Sequence, residues 1–385
     1  MREAHFSARI MILGGFGRVG SEVAHYLLTH SRYALTLVAR TPRPLPEAWT
    51  AEQCARVRCL TLDAFQPEAL MRACAEVDLV VSCLGPSGVV GSRVADACWA
   101  AGVPLVDAGG YDPLLQHLEH RQTREAAPVP LVINVGLLPG LSGIFPLHVL
   151  EQHQASHHTE ALSVYYVGRD AWSESSAWDI IHGLGDFGQE HGFCYLKHDT
   201  LCPVRLRRAA SRAEFPAPLG SQNTMLIYSA ELRRLGRQLQ LDSLKVYGAN
   251  LGPRAAMVGL VAKVLRMYRT PAGTARAACW MARASAHDMR TRTPLYAIHV
   301  EAKLRTGERL TGDLMVADTY QATGVTLGIT ARYLLEPGNR PAPGVQMLHE
   351  AVPASAFFAL LQQAGVIESL SSTCYPHPAT AGVAP

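Results

Sequence analysis

Lysine is almost missing from this 385-residue chain: of 35 basic residues only Lys197, Lys245, Lys263 and Lys303 are not arginine. No Tyr-x-x-x-Lys pair occurs, which argues against a short-chain-type alcohol dehydrogenase. Charge is scarce as well, at 17% of residues, and its balance of +3 is too mild for the electrostatic footprint of a nucleic-acid binder. The nine cysteines never stand in C-x-x-C spacing, so a zinc knuckle or redox dithiol is excluded and a reducing cytoplasm fits best. The first fifteen residues run into a glycine-rich turn with no small-residue cleavage site, unlike a signal peptide. The longest uncharged stretch, 126–150, is broken by Pro128, Pro130, Pro139 and Pro146 and reads as strand, loop and helix instead of a membrane span. These absences predict a cytoplasmic protein without nucleic-acid or membrane partners. What the chain does have is apolar content, 48% of residues, enough to offset chain entropy, and a length that favours two domains.

Residues 9–150 alternate short apolar runs with helical patterns, the signature of a parallel sheet covered on both faces. Strands are expected at 10–14, 34–39, 57–63, 78–84, 104–108 and 131–135. Right-handed crossovers then make a doubly wound Rossmann sheet the economical topology, with the ligand crevice at the carboxyl ends of the strands. From about Glu160 longer alternating strands follow, such as 161–167 and 294–304, and Arg305-Thr306-Gly307-Glu308 reads as a hairpin back to 310–317. The fold class is therefore α/β with a second α+β domain on a mixed, largely antiparallel sheet. Expected boundaries are 1–150 for the dinucleotide domain, 151–335 for the substrate and dimerisation domain, 336–370 for a return to the first domain, and 371–385 for a flexible tail. Long alternating strands that need an apolar partner, together with the family resemblance described below, make a homodimer the expected assembly.

The sharpest signal is Gly15-Phe16-Gly17-Arg18-Val19-Gly20, a G-x-G-x-x-G between the first strand and a helix. Gly15 permits the tight turn, Gly17 lets a pyrophosphate approach the backbone, and Gly20 lets the helix pack closely on the strand. The second strand ends in Val38-Ala39-Arg40-Thr41, without the Asp or Glu that binds a ribose 2′-hydroxyl in NAD-preferring sites. Arg40, aided by Arg43 or Arg18, can stack on the adenine and pair with a 2′-phosphate, so NADPH is the expected cofactor. The alternative reading of Arg40 is a solvated strand-end cation. Thr41, Asp63 at the end of the third strand, and Leu84, Gly85 and Pro86 after the fourth complete the expected cofactor set.

The fourth strand ends in Ser82-Cys83-Leu84-Gly85-Pro86 and the fifth in Val106-Asp107-Ala108-Gly109-Gly110-Tyr111-Asp112-Pro113, at the edge where nicotinamide belongs. With the glycine fingerprint, the helix at 95–102, Gly136-Leu137-Leu138-Pro139-Gly140-Leu141, Ala317-Asp318-Thr319-Tyr320-Gln321-Ala322-Thr323-Gly324 and Pro343-Gly344-Val345, the chain resembles the saccharopine dehydrogenase-like oxidoreductases. The resemblance runs over nearly the whole chain, and its glycine motifs are more specific than those of the substrate domain. It implies NAD(P)-linked chemistry at a carbon bonded to nitrogen. A protonated imine accepts hydride without a strong general acid, whereas a ketone needs a donor for its developing alkoxide. The expected activity is thus imine reduction or opine-type reductive condensation of a small amino-acid-derived or carrier-protein-tethered substrate. The alternative is a catalytically silent NADPH-binding regulator on the same fold.

Asp107 and Tyr111 are candidates to hold a substrate ammonium and relay a proton, and Cys83 to face the nicotinamide ring. The same residues can instead cap a loop, pack, or fill a small space. Tyr166, Ser175, Ser176, His182 and Asp318 fall where the family folds its substrate pocket. His153, His157 and His158 have no evident third ligand and read as a solvated helix end, so no metal is expected. Between 263 and 292, Lys263, Arg266, Arg269, Arg276, Arg283, Arg290 and Arg292 face only Asp288, seven cations against one acid, a net +6. Such a run is either a solvated helix face or a receiving surface for an acidic partner such as a carrier protein.

Overall fold

The computed structural model describes residues 8–109, 112–184, 193–339 and 341–376. The chain forms two compact units, residues 1–141 with 320–364, and residues 142–319 with 365–385.

The first unit is built on β1 (Arg9–Leu13), β2 (Ala34–Ala39), β3 (Val57–Thr61), β4 (Leu79–Ser82), β5 (Leu105–Asp107) and β6 (Pro130–Ile133). They lie in the order β6-β5-β4-β1-β2-β3, with a seventh strand, Gly344–Met347, outside β6, and every pairing is parallel. Four consecutive residues of β1 and all four of β4 are buried, so both faces of the central strands are covered and neither needs alternation. This is the Rossmann-like sheet implied by the apolar runs, each expected strand lying within two residues of its reading. The seventh strand escaped that reading because its four residues carry no alternation; Gln122 fixes it by accepting the Val345 N–H at 3.0 Å.

The helix Thr319–Leu335 carries the chain from one unit into the other. It meets the helix Arg18–His30 through Gly324 and Gly328: a Cβ at the first would lie 2.4 Å from Glu22 Cβ, and at the second 2.4 Å from Tyr26 Cδ1. Glycines four residues apart clear one helix face for this approach. The units accordingly divide at Thr319/Tyr320 and at Leu141/Ser142, against the boundaries at 335 and 150 expected from the pattern of strands and helices.

The second unit holds a nine-stranded sheet: β7 (Thr159–Arg169), β8 (Cys194–Lys197), β9 (Thr200–Pro203), β10 (Ala210–Phe215), β11 (Gly220–Leu226), β12 (Ser243–Asn250), β13 (Leu295–Leu304) and β14 (Arg309–Val316). After the Gly344–Met347 strand (β15) comes the ninth, β16 (Ile367–Tyr375). The order is β10-β11-β12-β7-β13-β14-β16, with β8 on β12 and β9 on β8. The β12–β7 pair is parallel and the others are antiparallel. Arg305–Glu308 joins β13 to β14, with Gly307 at φ 93° supplying the turn. The expected return through 370 and the flexible tail from 371 are corrected: β16 pairs with β14 from Val316↔Ile367 to Arg309↔Tyr375, covering what would otherwise be an open edge. Residues 377–385 of that tail lie outside the described residues. The helices Glu174–Gly183, Pro253–Val264 and Pro271–Asp288 pack together through Ala177, Ile181, Ala255, Ala262, Ala277 and Met281. Among the described residues no helix is long and apolar enough to cross a membrane.

Candidate functional site

The first unit gathers its chemistry at the carboxyl ends of its strands. After β1 the Gly14 and Gly15 amides both donate to the Val38 carbonyl, at 3.2 and 3.3 Å, and the Gly17 amide donates to Gly14 at 2.9 Å. A Cβ at Gly20 would stand 2.2 Å from the Gly14 carbonyl oxygen, so the helix can begin directly on the turn only with glycine there. That helix, Arg18–His30, has Gly17 as its N-cap, no side-chain cap and no acid in its first turn. Its first turn presents backbone N–H groups and the positive end of its dipole, features suited to an anion. Gly17 and Arg18 are exposed, Phe16 and Val19 half-buried, and Arg40 and Thr41 stand exposed at the end of β2.

An uncapped helix start, bare backbone at Gly17 and an arginine in place of the ribose-binding acid fit NADP(H). Arg18 is steadied by a contact that sequence reasoning missed: its guanidinium lies 3.4 Å from the ring centroid of Tyr320, a buried residue at the start of Thr319–Leu335. Nothing local to Arg18 signals so distant a partner. Asp63 accepts the Phe65 N–H at 3.0 Å and so shapes the bend after β3. Leu84 packs against the glycine turn, where a Cβ on Gly14 would lie 3.3 Å from its Cδ2; Gly85 is exposed and joined by a cis bond to half-buried Pro86.

Asp107 ends β5 opposite Ser82 of β4 and is only 4% exposed. Its Oδ1 accepts the Gly109 N–H at 2.6 Å, so one oxygen caps the following loop. Burial pushes the carboxyl up to about 6, while the Gly109 amide and, less strongly, Ser82 favour the charged form. A carboxyl poised there can take up or release a proton near neutrality. Cys83 is partly exposed, and burial together with the nearby Asp107 carboxylate pushes its thiol well above the usual range, so it is no ready thiolate. Tyr111 lies outside the described residues. Asn134, which follows β6, was not singled out from the sequence. It is buried, holds φ 59°, and its side-chain oxygen has no hydrogen-bond partner among the described residues. Next to it the Val135 amide donates to the Asp107 carbonyl at 2.9 Å. A Cβ on Gly136 would lie 3.4 Å from Thr323 Cγ2 and 3.9 Å from the Ala108 carbonyl. The loop after β6, the end of β5 and the start of Thr319–Leu335 thus meet.

Of the five second-domain candidates, Tyr166 stands on β7, three stand on the helix Glu174–Gly183, and Asp318 directly precedes Thr319–Leu335. Tyr166 lies buried on β7, its Cε2 placed 2.8 Å from where a Cβ of Gly248 would stand, and burial followed by Glu231 drives its phenol far above the usual range. Glu231, itself buried, accepts the Ser142 hydroxyl at 2.6 Å. Ser175, Ser176 and His182 share the helix Glu174–Gly183. There Ser173 caps the start by accepting the Ser176 N–H at 3.1 Å, and His182 stacks on Trp178 at 4.7 Å between ring centroids. Asp318 is exposed, and the hydroxyl of the adjacent Thr319 donates to the buried Asp170 carboxylate. Ser142, Asp170 and Glu231 are buried polar groups that no spacing rule announces.

Residues 10–132 match the family described as the saccharopine dehydrogenase NADP binding domain. A probable mitochondrial saccharopine dehydrogenase-like oxidoreductase of Arabidopsis thaliana is 30% identical over 122 residues, which is 29% of this chain and 27% of that protein. The chain therefore spans only about a quarter of that relative's length. Apo saccharopine dehydrogenase (L-Glu forming) from Saccharomyces cerevisiae aligns over 96% of this chain and 100% of its own, with a TM-score of 0.65 and 15% identity, a likeness of fold.

Proposed function

We propose, from the match of residues 10–132 to the saccharopine dehydrogenase NADP binding domain, that the chain is an NADPH-dependent oxidoreductase that reduces a C=N bond. Its substrate is a small amino-acid-derived imine, free or tethered to a carrier protein. The observation that carries this reading is Asp107, a carboxyl held at about 6 by burial at the carboxyl edge of the sheet.

NADPH, when bound, supplies the hydride. The backbone at Gly17 and the first turn of Arg18–His30 hold its pyrophosphate, and Arg40 pairs with its 2′-phosphate. Arg18, stacked on Tyr320, adds a fixed positive charge beside the same turn. Asp107 orients the substrate nitrogen and exchanges a proton with it, so that the carbon meets the hydride as a protonated imine and leaves as an amine. Water-poor surroundings strengthen the pairing of that carboxylate with an iminium. Cys83 remains a thiol and forms no covalent bond with the substrate.

The test is NADPH oxidation followed across a panel of amine and 2-oxo-acid pairs, with ketones and aldehydes as the contrast. Turnover on the amine pairs, lowered about 10²-fold in Asp107→Asn while NADPH affinity stays within about threefold, is the expected result. Tight NADPH binding with no turnover on any pair, or unchanged turnover in Asp107→Asn, would refute it.

A further inference from the structure

A helix at the surface of a folded protein normally buries one apolar stripe and turns polar residues to water. Pro253–Val264 departs from that pattern. It buries Ala255 and Ala262 inward, yet its outer side carries Met257 (59% exposed), Leu260 (58%), Val261 (37%) and Val264 (71%), and Leu265 just beyond the helix is 64% exposed. The spacing i, i+3, i+4, i+7, i+8 sets these five on one line along the helix. On the neighbouring helix Pro271–Asp288, Trp280 is 43% exposed, with Arg276 one turn before it and Arg283 one turn after, both exposed. Arg266 and Arg269 stand exposed between the two helices. The one acid from 253 to 292, Asp288, is turned inward, buried, and accepts from the Arg254 and Ala255 amides at 3.0 and 3.1 Å.

An apolar line of this kind marks a docking surface. We infer that the outer face of Pro253–Val264 and Pro271–Asp288 rests on an anionic lipid bilayer. A second copy related by a two-fold axis would set the same cations against each other. A protein partner would have to bring a groove, because four of the five apolar side chains project with more than half their surface exposed and form a ridge. A bilayer accepts a ridge without a matching shape. The apolar side chains enter the boundary between headgroups and acyl chains, the tryptophan sits at headgroup level, and the arginines meet lipid phosphates. The prolines of 126–150 break a spanning segment, whereas here the helix lies on the membrane surface and spans nothing.

Vesicle co-sedimentation of the full chain tests the inference. The protein should sediment with phosphatidylcholine vesicles containing about 30% phosphatidylglycerol, remain in solution with phosphatidylcholine alone, and dissociate as salt is raised. Leu260→Glu with Val264→Glu, and separately Arg276→Glu with Arg283→Glu, should each reduce partitioning at least about tenfold while circular dichroism and NADPH affinity stay unchanged. Wild-type protein that ignores both vesicles overturns the inference. That holds whether the face then proves to join two copies, seen as a concentration-dependent mass lost in the variants, or to hold an acidic protein, seen as variant-sensitive retention on an immobilised acyl carrier protein.

Discussion

Replacing Asp107 by Asn keeps an oxygen for the Gly109 amide, now accepted at 2.6 Å, and removes only the charge. The carboxyl sits at about 6 in the fold against an ordinary value of 3.8. The folded state therefore binds more protons than the unfolded chain, and stability falls as pH rises from about 4 through about 6. The gap corresponds to about 3 kcal/mol above pH 7 and to less than about 1 kcal/mol at pH 4. Hydrogen exchange at the amides of β4 and β5, with a urea titration alongside, isolates the first unit from the second. Asp107→Asn should protect those amides more strongly than wild type at pH 8 and almost equally at pH 4. Equal gains at the two pH values, or a loss at pH 8, would mean that the carboxylate ionises without penalty. It would then hold no proton near neutrality, and its assigned chemistry would fail with it.

Arg40→Ala should weaken NADPH by about 10- to 100-fold, the loss of one charge-assisted phosphate contact of about 1.5–3 kcal/mol, and leave NADH within about twofold; calorimetry with both cofactors decides it, and equal weakening would place Arg40 away from the 2′-phosphate. Tyr320→Leu removes a stack worth about 0.5–1 kcal/mol, so NADPH affinity should drop about two- to five-fold, and the loss should vanish in an Arg18→Ala background; fully additive losses would uncouple the two residues. Gly328→Val drives a side chain into Tyr26, whose Cδ1 already lies 2.4 Å from the position of a Cβ. Melting should come several degrees lower, from overpacking of about 1–3 kcal/mol, while Gly183→Ala, with nothing within 4 Å, should melt like wild type.

The first sheet was legible because a strand buried on both faces must be apolar throughout, and Ile10–Leu13 and Leu79–Val81 are. The glycine turn was legible because backbone geometry allows nothing else at Gly20. β10 and β11 were not: Ala210–Phe215 and Gly220–Leu226 are polar, short and half-exposed, and owe their form to pairing with each other and with β12. β16 misled for a related reason, since serine and threonine on an edge strand resemble a loop until β14 is beside them. At the candidate site the residue types could be read wherever chain direction alone delivers them to the carboxyl edge, as with Arg40, Cys83 and Asp107. Tyr320 and Asn134 could not be, because the stack on Arg18 and the orphaned amide oxygen exist only once distant segments have met.

The chain leaves the first unit after Leu141, re-enters it at Tyr320, and leaves again after Ala364 to lay down β16. On the ribosome, β6 therefore emerges early and keeps one edge open until Gly344–Met347 has been made, and β14 waits in the same way for Ile367–Tyr375. Neither sheet can be finished from a contiguous length of nascent chain, and the last pairings join segments far apart in sequence, which makes them slow. A ribosome that stalls or a message that ends anywhere before β16 thus releases a product whose sheet ends in the apolar, normally buried β14 instead of the polar, exposed β16, open to association with another chain and a substrate for chaperones and proteases.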